Sequence, residues 1–484
     1  MSLKKQAISG VKWNGSSTGI VTTLHFITLA ILARLLSPSD FGLMGMIMVV
    51  IGFARVFMDM GISNAIVYRQ NITKEELSSL YWLNILAGIT VFFIISASAP
   101  VIVSFYNEPQ LNDLVYLAAV IFLITPVGQQ FQILLQKELQ FKALAKIEII
   151  CSVTNSLTTI ILAINGFGVY SLVWGQLAGT AVRVVQLVYV GCKKWMPGWH
   201  FSWKEIRGYM SFGLYQMGEK TINYFNSNLD YLLIGSLLGA TSLGYYTLAY
   251  NLIIRPSLMI NPVITRVAFP VFSKVQNDLT KLKKGYLKIL ELLSIINFPL
   301  MIGLAVVAPV AVPVIFGDQW IPSIILIQIL TIVGLFRSIG NPVGSLLLAK
   351  GRADLAFKWN LALIVTQVPG LYIGASLWGT LGVAISYAIL TCIYSIFNYI
   401  ILIRKLLGSC LKEYMYSMWP AFWMSSVMSI GVMGISLFNN THNILWLLLW
   451  QIIFGVILYF SLFYFYQRNL FDEFIKIINR NNNK

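Results

Sequence analysis

Charge is scarce in this sequence. Lys, Arg, Asp and Glu make up 11% of 484 residues, and only 18 residues are acidic against 34 basic ones. A soluble domain carries about 25% charged residues, so the composition excludes an ordinary soluble enzyme or binding domain. Cysteine is sparse as well. Cys151, Cys192, Cys392 and Cys410 lie scattered at helix ends or inside apolar runs, without metal-ligand spacing or pairing. A disulfide framework or a cysteine metal site is therefore not expected, and the four thiols read as small packing residues. The phosphate-cradling pattern G-x-x-x-x-G-K-[ST] is missing, which excludes ATP-driven export by this chain. No nucleotide-sugar-type acidic motif sits at a membrane surface, so neither catalytic residues nor a cofactor are expected.

What fills the chain instead is apolar sequence: 57% of residues are hydrophobic and the mean hydropathy is +0.76. A span needs roughly 20 apolar residues, because a helix rises about 1.5 Å per residue across a core of about 30 Å. The runs predict about fourteen spans, near 11–36, 41–67, 80–105, 113–136, 147–165, 168–191, 209–237, 243–270, 286–316, 321–349, 356–377, 380–404, 415–437 and 443–467. Little chain remains for an extramembrane domain. The first run, Val11–Leu36, is too long for a signal-peptide core and no small-residue cleavage site follows it, so it reads as a retained span. The expected fold is an all-α integral membrane protein.

The connections alternate in charge. One set holds Lys4 and Lys5; Arg69 and Lys74; Lys137, Lys142 and Lys146; Lys193, Lys194, Lys204 and Arg207; Lys274 to Lys288; Lys350, Arg352 and Lys358; Arg404, Lys405 and Lys412; and the tail to Lys484. The opposite set, near 37–40, 106–113, 165–168, 239–242, 316–322, 378–380 and 438–443, has no lysine or arginine. The positive-inside rule then places both termini in the cytoplasm and requires an even number of spans. It also assigns the net charge of +16 to anionic lipid, with no nucleic-acid partner needed. Thr73-Lys74-Glu75-Glu76 and Ser202-Trp203-Lys204-Glu205 are capping-box patterns that start spans 3 and 7. Beyond the last span, Phe471, Phe474, Ile475 and Ile478 predict a short helix lying on the cytoplasmic surface.

A weak repeat runs through the chain. LLSPSDFG at 35–42 recurs as LLGATSLG at 237–244, Pro126-Val127-Gly128 as Pro342-Val343-Gly344, and Gly168-Val169 as Gly382-Val383, with offsets of 202–216. This order suggests a duplicated six-helix unit in one orientation: a lobe over 1–195, a pseudo-symmetric lobe over 196–408, and two extra helices with a basic tail over 409–484. Parallel repeats of this kind are a transporter architecture with the substrate site between the lobes. The two Pro-Val-Gly sites are expected to bend or break their helices.

ARLLSPSDFG (Ala33–Gly42) after the first span, FSWKEIRGYMSFGLYQ (Phe201–Gln216) entering the second lobe, and the six-plus-six-plus-two pattern resemble a known family. It is the polysaccharide-transporter branch of the multidrug/oligosaccharidyl-lipid/polysaccharide (MOP) superfamily, with its Wzx-type flippases and its colanic acid and teichuronic acid exporters. The resemblance covers essentially the whole chain. It implies a bacterial inner-membrane secondary transporter that moves a polyprenyl-pyrophosphate-linked or polymeric glycan outward by alternating access. It also implies envelope polysaccharide polymerase machinery and membrane lipid as partners.

Ionisable groups at bilayer depth are costly and usually face a cavity or a partner. Arg55, Arg183, Arg255 and Arg337 lie deep in spans 2, 6, 8 and 10, and Lys220 lies about ten residues into span 7. Against these five cations stand Asp59, Glu219 and Asp230. The balance predicts a cationic cavity suited to a pyrophosphate-linked glycan or acidic sugar, since arginine grips phosphate or carboxylate through two parallel hydrogen bonds. Each cation also has a simpler reading: Arg55 and Asp59, spaced i, i+4, can neutralise each other, and Lys220 can pair with an acid on another helix. Asn223 and Asn226 either contact sugar hydroxyls or hydrogen-bond between helices. Asp59, Glu219 and Asp230 are the candidates for coupling to a proton or sodium ion. A cation-coupled multidrug antiporter of the same superfamily is the nearest alternative. A membrane polysaccharide polymerase or ligase is the alternative from the enzyme class, and the short outer connections argue against it.

Overall fold

The computed structural model describes residues 3–59, 66, 72–438, 443–468 and 470–472; within its helices the side chains of 3–12, 59, 208, 210–216, 219, 255, 258–260, 262–267, 353 and 437–438 are outside that description. All regular elements among the described residues are helical. They are α1 (Leu3–Leu35), α2 (Pro38–Asp59), α3 (Lys74–Tyr106), α4 (Leu111–Lys137, in two pieces that meet at Val120), α5 (Phe141–Ile164) and α6 (Tyr170–Gly191). There follow α7 (Trp203–Lys274), α8 (Leu279–Phe316), α9 (Pro322–Ala349) and α10 (Ala353–Phe397), the last continued by a π-helical stretch (Asn398–Ile403) and a short turn (Arg404–Leu407). The series closes with α11 (Leu411–Phe438) and α12 (Ile444–Tyr466). Eleven helical segments among the described residues are long and apolar enough to cross a membrane. Large side chains such as Phe93, Ile161, Ile396, Ile430 and Ile457 stand exposed on them; this suits a lipid surround and would not suit water.

Helix starts follow from local chemistry. In the SPSD motif, Ser37 caps α2: its hydroxyl accepts from the Asp40 amide at 3.2 Å while the Asp40 carboxylate accepts from the Ser37 amide at 2.9 Å. Pro38 stands where its missing N–H costs nothing. The same box opens α3, with Thr73 accepting from the Glu76 amide at 3.1 Å and Glu76 accepting from the Thr73 amide at 2.9 Å. At Ser202 the pattern is used differently. The Ser202 amide donates to Ser79 Oγ at 3.1 Å and Ser79 donates to Glu205 at 3.0 Å, so the capping residues fasten α7 to α3.

Two of the long helices fold back on themselves. In α7 the backbone leaves the helical region at Gly239 (φ 77°), and a Cβ on Gly235 would lie 3.3 Å from Leu243 Cδ2. Residues eight apart on a straight helix stand about 12 Å apart along its axis, so the chain reverses here. In α10 the break falls at Trp378 and Gly379 (φ 57°), and Gly374 and Gly382 pack backbone to backbone across it. Gly239 and Gly379 supply positive φ values that a side chain would oppose. Both breaks fall in the lysine-free connections. The Pro-Val-Gly sites differ from each other: α4 is interrupted at Val120, one and a half turns before Pro126, whereas α9 carries Pro342 without a non-helical residue. Residues 473–484 of the expected surface helix lie outside the described residues.

The chain forms two compact units, Met1–Gly244 and Tyr245–Lys484. In the first, α5 packs against α1 and α6, and α4 packs against α3 and α6. Lipid is as apolar as leucine, so close backbone approach and polar contacts must hold such helices together. Gly175 and Gly179 provide it: a Cβ on either would strike Thr159 or Asn155 of α5. At the lysine-rich end Tyr81, Phe131 and Trp195 pack together over Leu80 and Tyr209.

In the second unit α8 is central, with α9, α11 and α12 against it. Tyr459 of α12 donates to the Ile295 carbonyl of α8 at 2.7 Å, and Met424, Met428 and Val432 of α11 join the same core. The buried Asn297 amide donates to Asn261 at 3.3 Å and accepts from Ser257 at 3.4 Å, a polar seam between α7 and α8.

Candidate functional site

Arg55 of α2, Arg183 of α6 and Glu148 of α5 form a charged group inside the first unit. The seam that brings α5 and α6 together positions it. Gly175, Gly179 and Arg183 recur every fourth residue on one face of α6; the glycines meet Thr159 and Asn155, and one turn further Arg183 meets Glu148 in an ion pair and hydrogen bond. Arg183 also lies within electrostatic range of Arg55. Counted along their helices, the three groups stand about 20–25 Å from Pro38, Tyr170 and Ile164, which share the lysine-free end. The Asp40 carboxylate levels these helix ends by accepting from the Val169 amide at 3.1 Å. The Arg183 and Glu148 side chains keep 33% and 45% of their surface open, and Arg55 is exposed. Charges so open would be costly against lipid.

The first arm of α7 brings a polar strip to this unit. Lys220, Asn223 and Asn226 follow one another at three-residue spacing; Lys220 and Asn226 are half-buried and Asn223 is exposed. Tyr224 turns to the neighbouring face, where its hydroxyl donates to the Val49 carbonyl of α2 at 2.8 Å and its ring lies against Gly52. Tyr224 also interacts electrostatically with Arg55, so one side chain both joins α7 to α2 and borders the cation. Asn228 donates to the Tyr224 carbonyl at 2.8 Å, a bond within its own helix. Asp230 is 1% exposed, and its carboxylate accepts from the Tyr231 amide at 3.0 Å.

Arg337 of α9 occupies a different setting in the second unit. Its guanidinium donates to Tyr250 Oη at 2.8 Å and to Tyr387 Oη at 3.1 Å. Two phenols orient the cation. The side chains of Asp59, Glu219 and Arg255 lie outside the described residues.

The two copies of the repeated turn meet. A Cβ on Gly42 would stand 1.7 Å from the Ala240 carbonyl oxygen, and a Cβ on Gly244 would stand 1.8 Å from the Pro38 carbonyl oxygen. Gly42 and Gly244 are 202 residues apart, as are Pro38 and Ala240, so the contact is reciprocal. Glu108 adds to it by accepting from the Ala240 amide at 3.2 Å. At the opposite, lysine-rich end, Glu75, His200 and Glu205 bring three ligand atoms within 4.8 Å of one another. They are the one such group with cation-holding geometry among the described residues. His200 Nε2 is 3.1 Å from Glu205.

Glu148 was missed in the sequence because the fifth apolar run begins at 147, which puts the acid at a helix end; α5 in fact starts at Phe141, two turns earlier. The usable signal was the four-residue spacing of Gly175, Gly179 and Arg183, which marks a close-packed face and calls for a partner on the preceding helix. Tyr224, Tyr250 and Tyr387 carried no sequence signal, since tyrosine is common throughout the chain.

These helices and their internal charges define a multi-pass helical membrane protein with polar clusters at membrane depth. A family model described as polysaccharide biosynthesis protein matches residues 31–325. Over 425 residues the chain is 38% identical to the lipopolysaccharide biosynthesis protein WzxC of Escherichia coli (strain K12), covering 88% of this chain and 86% of that one. It is 36% identical over 442 residues to the teichuronic acid biosynthesis protein TuaB of Bacillus subtilis (strain 168), covering 90% of each. A solved structure of the lipid II flippase MurJ, in an inward closed conformation, matches with a TM-score of 0.74 over 95% of this chain and 100% of that one. At 16% identity that likeness is one of fold. The chain belongs to the polysaccharide biosynthesis protein family.

Proposed function

We propose that this protein is a secondary transporter that carries a lipid-linked oligosaccharide, or an anionic envelope polysaccharide, from the cytoplasmic to the outer face of a bacterial inner membrane. Its two lobes alternate in access around a cationic cavity. The observation that carries this reading is that Arg55 and Arg183 lie within electrostatic range of each other in the first unit, with Glu148 paired to Arg183 and the Arg183–Glu148 pair still partly open. Two guanidiniums in range of each other repel, and a ligand that places two phosphates or a phosphate and a carboxylate between them removes that repulsion. The names of the relatives support the substrate class: WzxC and TuaB are named for lipopolysaccharide and teichuronic acid biosynthesis, and MurJ is named a lipid II flippase. Arg337, set by two tyrosines, and the Lys220–Asn223–Asn226 strip are the remaining substrate contacts in this reading, with Arg255. Asp59, Glu219 and Asp230 are its candidates for ion coupling.

The same reading takes the protein through the membrane fourteen times with both termini cytoplasmic. The chain reversals at Gly239 and Gly379 split two of the eleven long apolar segments, and α6 adds a further crossing, which supports that number. The alternation of lysine-rich and lysine-free connections supports the orientation. The lobes are 1–195 and 196–408, with the last two helices and tail over 409–484, and the partners are lipid, the glycan carrier and envelope polymerase machinery.

The test is genetic and chemical. Deleting the gene should leave a lipid-linked saccharide on the cytoplasmic side, and re-expression should clear it. A variant with Arg55, Arg183, Arg255 and Arg337 all replaced by Gln should insert in the membrane and fail to clear it. Full export by that variant would sink the cationic-cavity reading. Lost drug resistance with no stored saccharide would identify a drug antiporter instead.

A further inference from the structure

The Arg183–Glu148 pair has a feature that a plain structural ion pair lacks. Both side chains remain a third to nearly a half open, so little of the pair's desolvation has been completed. A pair so placed is weakly held, because water competes for both partners. The arginine it engages is also the one within electrostatic range of Arg55. Glu148 therefore sits where an anionic ligand bridging Arg55 and Arg183 would place an oxygen. The register of the α5–α6 seam keeps it there: Gly179 admits no Cβ beside Asn155 and Cys151, and this fixes Glu148 opposite Arg183 one turn on.

We propose that Glu148 is an internal counter-ion that occupies the anion seat on Arg183 and is displaced by the diphosphate of the transported lipid-linked saccharide. The inference rests on the transport reading above. Its consequence is selectivity. With Glu148 in place the group carries a net single positive charge. A singly charged ligand gains little by exchanging one carboxylate for another anion. A diphosphate engages both arginines at once and replaces one charge–charge contact with several charge-assisted hydrogen bonds. Glu148 thus lowers the affinity for all anions and raises the ratio of diphosphate to monoanion binding. It also keeps Arg183 aimed at the seat while the site is empty, which makes it a positioning and specificity-determining residue.

The experiment uses the full-length protein in detergent and calorimetric titration with inorganic pyrophosphate, farnesyl diphosphate and inorganic phosphate. Wild type should bind both diphosphates in preference to phosphate. Glu148→Gln keeps the size and an acceptor but removes the charge. It should bind all three anions tighter, about 5- to 20-fold for phosphate, with the preference for diphosphate reduced. Glu148→Asp should resemble wild type, and Arg183→Gln should lose diphosphate binding. A merely structural role for Glu148 would weaken binding on its loss, so a gain of affinity separates the two. Glu148→Ala carries the same expected sign and serves if the glutamine variant does not fold. Diphosphate binding by wild type, with equal or weaker binding in both neutral variants, overturns this inference and leaves the transport reading standing. Absence of diphosphate binding by wild type overturns both.

Discussion

Gly42 and Ala240 meet backbone to backbone: a Cβ at Gly42 would overlap the Ala240 carbonyl, 1.7 Å from its oxygen. The mirror contact, Gly244 on Pro38, follows at 1.8 Å. Backbone cannot rotate aside as a side chain can, so neither overlap has a cheap relief. Gly42→Ala and Gly244→Ala should each destabilise this conformation by about 1–3 kcal/mol, the usual cost of overpacking. Thermal unfolding in detergent should register each as a clear drop, and Gly218→Ala, with open space around it, as none. Equal melting temperatures for all three variants would show that the two turns do not touch in the protein.

Tyr224 joins α7 to α2 through its hydroxyl, which donates to the Val49 carbonyl at 2.8 Å and lies 3.3 Å from that of Met48, and through a ring packed on Gly52. Tyr224→Phe keeps the ring and loses the bond to Val49, so about 1 kcal/mol of stability should go. Gly52→Leu would drive a side chain into the ring, since even a Cβ would stand 2.3 Å from the hydroxyl oxygen. Its melting temperature should fall further than that of Tyr224→Phe, and the reverse order would refute the packing described.

Arg337 depends on Tyr250 and Tyr387 for its direction. Hydrogen bonds to a charged group are worth about 1.5–3 kcal/mol, so Tyr250→Phe and Tyr387→Phe should both impair glycan export at normal protein levels. The shorter bond belongs to Tyr250, and its loss should cost more. In an Arg337→Gln background the two Phe variants should add little, because the group they orient is gone. Full additivity would mean that the tyrosines act elsewhere.

Asp278 caps α8 outside the apolar segment. The Lys281 amide, donating at 3.0 Å, and then the Lys281 ammonium hold its carboxyl below the usual carboxylate range. A depressed folded value means that the stabilisation is present above the ordinary range and is lost as pH falls through the lowered value. Wild type should therefore melt above Asp278→Ala at neutral pH, with the two converging in acid. A gap that stays constant into strong acid would assign the cap's effect to something other than the charge.

Much of the helix layout was legible in the sequence. Runs such as 113–136, 168–191, 321–349 and 443–467 fall within two residues of helix ends, because a helix in lipid must satisfy its own backbone and does so over a length set by local composition. The capping box at Thr73 was readable for the same reason: its hydrogen bonds close within four residues. The one at Ser202 marked the start of α7 at Trp203, but Ser79, more than a hundred residues away, takes the bonds that the local pattern offers.

The site shows the same division. Periodicity and charge alone selected Arg55, Arg183 and Arg337 as groups too costly to lie in lipid. Their partners, Glu148, Tyr224, Tyr250 and Tyr387, were settled by which helix packs on which face. No single helix carries that information. Hydropathy and capping are determined along the chain over a few turns, where each residue's neighbours are known from its number. The pairing of Arg183 with Glu148, and of Gly42 with Ala240, depends on helices whose contact surfaces are made of glycine gaps and whose register appears only once both are packed.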